Sequence, residues 1–281
     1  MNLIQHIVLF YFRNCIRLYA LFSVKKAAAY AFRLFCSPMS RSSKKTAPIF
    51  EKAEQLQFQM DDNLLKGYRW NSGKIKKALI LHGFSSSVHK FEHFVQPLID
   101  QGYEVLAFDA PAHGLSSGSS VNVLQYKKMI EMVDAQWGPV QAFIAHSFGG
   151  LALSLFAEKS GQVATNKMVL IAPATETSTA LNSFCSLLKI SEKVKAAMRE
   201  VIHDAGGQWP EYYSINRASK TIKAQVLWIH DRDDSVTPWS DAQKIQEHRF
   251  PNFQFVITQG LGHRRIYKDA GVLKTVIEFL S

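Results

Sequence analysis

Apolar and polar positions follow two distinct rhythms along this chain. Unbroken apolar runs recur at about 78–81, 104–108, 142–145, 168–172, 225–229 and 254–258, each too short for a helix and rich in Val, Ile, Leu and Phe. Between them, stretches at about 91–101, 122–136, 148–159, 239–248 and 266–280 space their apolar residues three or four apart, as amphipathic helices do. Strands that need no polar face belong to a sheet covered on both sides, so the pattern predicts an α/β protein with parallel strands joined by crossover helices. Ahead of these, 56–60 and 65–70 flank Asp61-Asp62-Asn63 and read as a strand pair with a turn.

One connection breaks the rhythm. Ordinary crossovers are short, yet the chain between Pro173 and Lys223 runs through a helical stretch at 181–199 and then Gly206-Gly207-Gln208-Trp209-Pro210. An insertion at about 174–222 is expected to be a lid, the bland alternative being a longer crossover helix with no role in substrate choice. Its Leu181, Phe184, Leu187 and Leu188 suit an apolar acyl or alkyl group, although a lid also needs apolar residues simply to pack.

Chemistry-bearing residues gather just after the carboxyl ends of the apolar runs, where ligands collect in open parallel sheets. After 78–81 comes His82-Gly83-Phe84, and after 104–108 comes Asp109-Ala110-Pro111-Ala112-His113-Gly114. The run at 142–145 leads into His146-Ser147-Phe148-Gly149-Gly150, a serine between a strand and a helix. Such a corner is sharp and tolerates only small residues two before and two after the serine, here Ala145 and Gly149. The run at 225–229 ends in His230-Asp231-Arg232-Asp233-Asp234-Ser235-Val236-Thr237-Pro238, and the last run leads to Gly260-Leu261-Gly262-His263.

In this order the five segments make residues 64 to 281 resemble the α/β-hydrolase superfamily, whose triad order is Ser, then Asp or Glu, then His. The resemblance implies the α/β-hydrolase fold, with a mostly parallel, doubly wound sheet and a helical lid. It also implies a serine hydrolase acting through an acyl-enzyme on a carboxylic ester, thioester or related acyl bond of a small-molecule substrate. Ser147 would be the nucleophile, His263 its base and Asp234 the acid that orients His263. The backbone N–H groups of Phe84 and Phe148 would form the oxyanion hole, with His82 and His146 as candidates for the substrate pocket. The family's usual run, Ile-His-Gly-x-x-Asp-x-x-Val-Pro, puts the acid at Asp234 and Thr237 in the place of Val; sliding the frame to Val236 selects Asp233 instead. The remaining aspartates of that loop read as solvated turn residues, and the Asp109 to Gly114 loop reads as structural. A carbon–carbon bond hydrolase or aminopeptidase of the same fold shares the triad, and a catalytically silent binding or interaction member stays open beside them.

Composition adds one correction to a first impression. The net charge of +10 suggests a nucleic-acid partner until it is located. Residues 1–50 hold eight basic residues and no Asp or Glu, leaving 25 basic against 23 acidic in 51–281. The charge therefore belongs to a helical N-terminal extension with a linker at 37–46, and no nucleic-acid readout motif accompanies it. The rest, 51–281, reads as the catalytic domain. Charges interrupt every apolar run of the extension below the length of a membrane span, and the segment makes a poor signal peptide. Residues 1–36 are expected either to pack on the domain or to lie on an anionic membrane surface as a basic amphipathic element. Cys15, Cys36 and Cys185 suggest neither a disulfide framework nor a zinc site, so the expected compartment is the cytoplasm, free or peripheral on the inner membrane surface. No nicotinamide fingerprint or P-loop is present, and no cofactor or metal is expected. The sequence leaves the oligomeric state open.

Overall fold

Residues 3–39, 47–159 and 166–281 are described by the computed structural model of the chain. They divide into two compact units, one formed by residues 1–37 with 176–214 and the other by 38–175 with 215–281. Most of the linker expected at 37–46 lies outside the described residues.

The larger unit is built on eight strands: β1 (Glu54–Met60), β2 (Asn63–Trp70), β3 (Lys77–Leu81), β4 (Glu104–Phe108), β5 (Ala142–His146), β6 (Lys167–Ile171), β7 (Gln225–Asp231) and β8 (Phe253–Thr258). Their order in the sheet is β1-β2-β4-β3-β5-β6-β7-β8. The pairings β1–β2 and β2–β4 are antiparallel, and all the others are parallel. Every residue of β4 and β5 is buried, which is why neither run shows polar alternation. The strands expected at 56–60 and 65–70 form as β1 and β2, with Asp61 at φ 52° in the turn between them.

Successive strand residues point to opposite faces, and each face has its own cover. Ala78, Ile80, Val105, Ala107, Ile144 and Ile229 belong to one buried cluster with Phe94 and Leu98 of α3 (Glu92–Asp100) and Val272 and Val276 of α11 (Ala270–Leu280). Their neighbours Leu79, Leu81, Leu106, Phe108, Phe143 and Trp228 are equally buried toward the other face. The helices α4 (Val123–Trp137), α5 (Phe148–Ala157), α8 (Ile215–Ala218) and α9 (Trp239–Glu247) pack against one another in that order. Each buried Leu, Ile or Phe adds about 1.5–3 kcal/mol over its exposed state, so the sheet is a rigid platform for the loops at its end.

The smaller unit joins two segments distant in sequence. The N-terminal residues form α1 (Leu3–Phe22) and α2 (Val24–Phe35), divided by Ser23, whose hydroxyl accepts from the Lys26 amide. The inserted residues form α6 (Thr177–Leu188) and α7 (Glu192–Gly206). Helix α1 packs with α6, and α2 with α7. A single helix over 181–199 is not what forms: Lys189 turns left-handed at φ 50° and Ser191 caps α7 by accepting from the Val194 amide. Leu181 and Leu188 are buried, and Phe184 meets Phe35 edge-on with ring centres 5.2 Å apart. Arg13 donates to the carbonyls of Leu187 and Leu188, both at 3.3 Å, and so caps the end of α6. The apolar residues expected to greet a substrate therefore serve in large part to hold these helices together.

The helix expected at 266–280 is also broken. The chain forms α10 (Gly262–Arg265), one 3₁₀ turn over Ile266–Lys268, and then α11, which Asp269 caps through the Val272 amide.

Candidate active site

The site begins with a strained corner. Ser147 links β5 to α5 with φ 52° and ψ −118°, a conformation that costs a non-glycine residue about 1–3 kcal/mol. Neighbouring backbone holds it there: its N–H donates to the Ile171 carbonyl at 3.1 Å, and its carbonyl accepts from Gly150 and Ala174, both at 2.9 Å. Bulk is excluded at Gly149, where a Cβ would lie 2.7 Å from the His82 carbonyl oxygen.

His263 lies in the first turn of α10, reached through Gly260-Leu261-Gly262. Its Nε2 is 3.0 Å from Ser147 Oγ, and its Nδ1 is 2.8 Å from Asp234 Oδ2. The three residues thus form one continuous hydrogen-bonded line. Asp234 is buried, and burial opposes its ionisation. The hydrogen bond and charge of His263, joined by the Thr237 and Val236 amides on Oδ1, outweigh that cost and hold the carboxyl down at about 2. It is a carboxylate throughout the neutral range.

Of the other two acids of the loop, Asp233 is an exposed turn residue as expected, whereas Asp231 is not. Asp231 is buried; its Oδ2 accepts from the Leu261 amide at 2.9 Å and the Thr258 hydroxyl at 2.7 Å, and its Oδ1 accepts from the Asp233 amide. Asp233 Oδ2 accepts from the Gly260 amide at 3.0 Å. Both therefore fasten the glycine-containing turn that delivers His263. Asp233 faces Gly260, and Asp234 faces the imidazole.

Thr237 is the member that sequence reasoning overlooked. Its hydroxyl donates to Asp234 Oδ2 at 2.8 Å, and its oxygen stands 3.1 Å from His263 Nδ1. Valine, the usual occupant, has the same outline without the hydroxyl. The signal was present in the sequence as that departure from the family pattern.

His146 and His82 take structural places. His146 is almost wholly buried, and its Nε2–H donates to the His263 carbonyl at 3.1 Å. Burial, with the nearby His263, lowers its pKa to about 3, so the ring is neutral. His82 is fully buried with both nitrogens engaged: Nδ1–H donates to the Gly83 carbonyl at 2.8 Å, and Nε2 accepts from the Ala110 amide at 3.0 Å. Burial lowers its pKa to about 4. No nitrogen of His82 is left for a substrate, so the expected pocket role gives way to a bracing one. The Asp109 loop is likewise framework, its carboxylate accepting from the Val88 and Leu115 amides.

Phe148 is the first residue of α5, so its N–H has no acceptor within the helix and sits at the positive end of the helix dipole. The chain at Gly83 passes close enough to Ser147 that a Cβ there would lie 3.0 Å from the serine Cβ. This places Phe84 beside Ser147, its ring edge-on to that of Phe148 with centres 5.7 Å apart. Among the described residues, no group of three or more His, Cys, Asp or Glu side chains has the arrangement to hold a metal ion.

A family model described as serine aminopeptidase, S33, matches residues 74–209. No curated protein matches the chain at a significant level. Among solved structures, an esterase of Pyrococcus furiosus superposes with a TM-score of 0.64 at 21% identity, covering 87% of this chain and 95% of its own. The thioesterase domain of a curacin biosynthetic pathway gives 0.60 at 16% identity, covering 80% and 99%. A bacterial membrane phospholipase A gives 0.61 at 15%, covering 99% and 97%. By its sheet order and these likenesses, the chain has the α/β-hydrolase fold.

Proposed function

We propose that the protein is a serine hydrolase that cleaves a carboxylic ester, thioester or related acyl bond through an acyl-enzyme. The observation that carries this reading is the line from Ser147 Oγ through His263 to Asp234. Ser147 Oγ attacks the acyl carbon while its proton passes to His263 Nε2, and Asp234 stabilises the resulting imidazolium. Negative charge grows on the former carbonyl oxygen, where the Phe84 and Phe148 amides would receive it. Collapse breaks the bond to the leaving group, which takes the proton from His263. Water, deprotonated by the same imidazole, then releases the acid and restores Ser147. The esterase, thioesterase and phospholipase neighbours support an acyl bond as the target. The description of the matching family model favours an amine leaving group as the second reading.

A fluorophosphonate probe tests the nucleophile directly. The purified chain should be labelled at Ser147, and neither Ser147→Ala nor His263→Ala should react. Hydrolysis of p-nitrophenyl esters and amino-acid p-nitroanilides, measured in parallel, separates the two leaving groups. Folded protein without any labelling would point instead to a silent, ligand-binding member of the fold.

Thr237 offers a finer test of the acid. Thr237→Val keeps the side-chain outline and removes one hydrogen bond to a carboxylate, worth about 1.5–3 kcal/mol. Ester hydrolysis should fall about 10-fold or more with the loss in kcat, and Thr237→Ser should restore most of it. Unchanged kcat in Thr237→Val would make the hydroxyl a bystander.

A further inference from the structure

Helix α1 uses only part of its circumference for packing. Ile16 is 3% exposed, and Arg13 is engaged at the end of α6. Around the helix from Ile16, Ile4, Ile7, Tyr11, Leu18 and Phe22 recur at helical spacing and are 58% to 84% exposed. An apolar stripe of this length on a folded surface marks a contact with something else.

The charge around the stripe selects the partner. Arg17, one residue before Leu18, and Lys25 and Lys26, just beyond Phe22, are exposed. No Asp or Glu occurs anywhere in residues 1–50. A second copy of the same face would set cations against cations with no acid in the segment to relieve them. An anionic lipid surface supplies the missing negative charge together with an apolar layer for Ile, Leu and Phe, and it suits tyrosine at the headgroup level. Spanning is not an option for α1, because among the described residues no helix is long and apolar enough to cross a membrane.

We propose that α1 docks on an anionic membrane surface, lying in the interface with the Ile4–Ile7–Tyr11–Leu18–Phe22 stripe inserted and Arg17, Lys25 and Lys26 against the headgroups. This goes beyond the proposed hydrolase activity and does not depend on Ser147.

Co-sedimentation of the full chain with vesicles tests it, using phosphatidylcholine alone and phosphatidylcholine mixed with phosphatidylglycerol. The protein should sediment with the anionic vesicles, less so as salt is raised, and hardly at all with the neutral ones. Reversing the three cations (Arg17→Glu, Lys25→Glu, Lys26→Glu) should weaken partitioning by about 100-fold, and Leu18→Glu with Phe22→Glu should abolish it. All five positions are exposed, so circular dichroism should be unchanged in these variants. Ser147→Ala should bind like the unaltered chain, which keeps this result separate from the fate of the hydrolase reading. Absence of binding to anionic vesicles at low salt, or equal binding to both kinds, would overturn the proposal. So would a concentration-dependent dimer dispersed by Leu18→Glu, which would assign the stripe to a second copy.

Discussion

Ser147→Ala and His263→Ala should each lower the hydrolysis of an activated ester by a factor on the order of a million in kcat, and the double variant should be no worse than either single one. The three groups act as a unit: without the imidazole the hydroxyl keeps its proton, and without the hydroxyl the imidazole has nothing to activate. Asp234→Asn should cost about 10⁴-fold, because an amide at this place favours the wrong tautomer of His263. Asp233→Asn should leave kcat nearly unchanged at permissive temperature, since its carboxylate faces the Gly260 amide and not the imidazole. Steady-state kinetics on the five variants would decide the matter. A severe loss in Asp233→Asn with a mild one in Asp234→Asn would exchange the two roles.

Mild acid should unfold this protein well before its carboxylates titrate. His82 and His146 have their pKa values lowered by burial to about 4 and about 3. In the unfolded chain both return to about 6.5, so the unfolded state binds more protons below that value and stability rises with pH there. Their contribution is complete above about pH 6.5 and is lost as the pH falls toward their folded values. Each histidine contributes a slope approaching about 1.4 kcal/mol per pH unit, so the pair removes about 4–5 kcal/mol between pH 6.5 and 4.5. That is a large share of the roughly 5–15 kcal/mol available to a folded domain. Burial lowers the pKa of His230 too, which steepens the fall, whereas burial raises the pKa of Asp109, which works against it at the acid end. Asp234 acts only lower down: its depressed pKa contributes stability above about pH 4 that disappears as the pH drops through about 2. Urea unfolding midpoints at pH 7, 6 and 5 should fall steeply, and His146→Phe should flatten the slope by about one proton. A midpoint constant across that range would mean that the rings carry charge in the folded chain.

Legibility differed between parts of the molecule for physical reasons. The parallel strands were readable because burial on both faces removes the need for polar residues, which leaves runs such as 78–81 and 104–108 uniformly apolar. The ends of the helices were less so. Lys189 carries no mark of a left-handed turn, and residues 181–199 look like one helix until the chain has to reverse between α6 and α7. Ser147 was readable because its corner imposes size limits on Ala145 and Gly149, which are local constraints. The sharing of duties among Asp231, Asp233 and Asp234 was not, since it depends on how the turn at 260–262 lies against them.

By itself the sequence determined the order of the elements, the sheet they build, the serine corner and the acid–histidine order, because each is written in neighbouring residues or in the spacing of apolar positions. Tertiary structure alone decided which aspartate meets His263, that Thr237 adds its hydroxyl to that pair, and that His82 and His146 brace the site from within. It also decided that the N-terminal helices pack with those inserted at 176–214. These are meetings of groups brought together from distant parts of the chain, 116 residues apart for Ser147 and His263 and 175 for Arg13 and Leu188. No local pattern encodes such a distance; the packing of the sheet and its helices sets it.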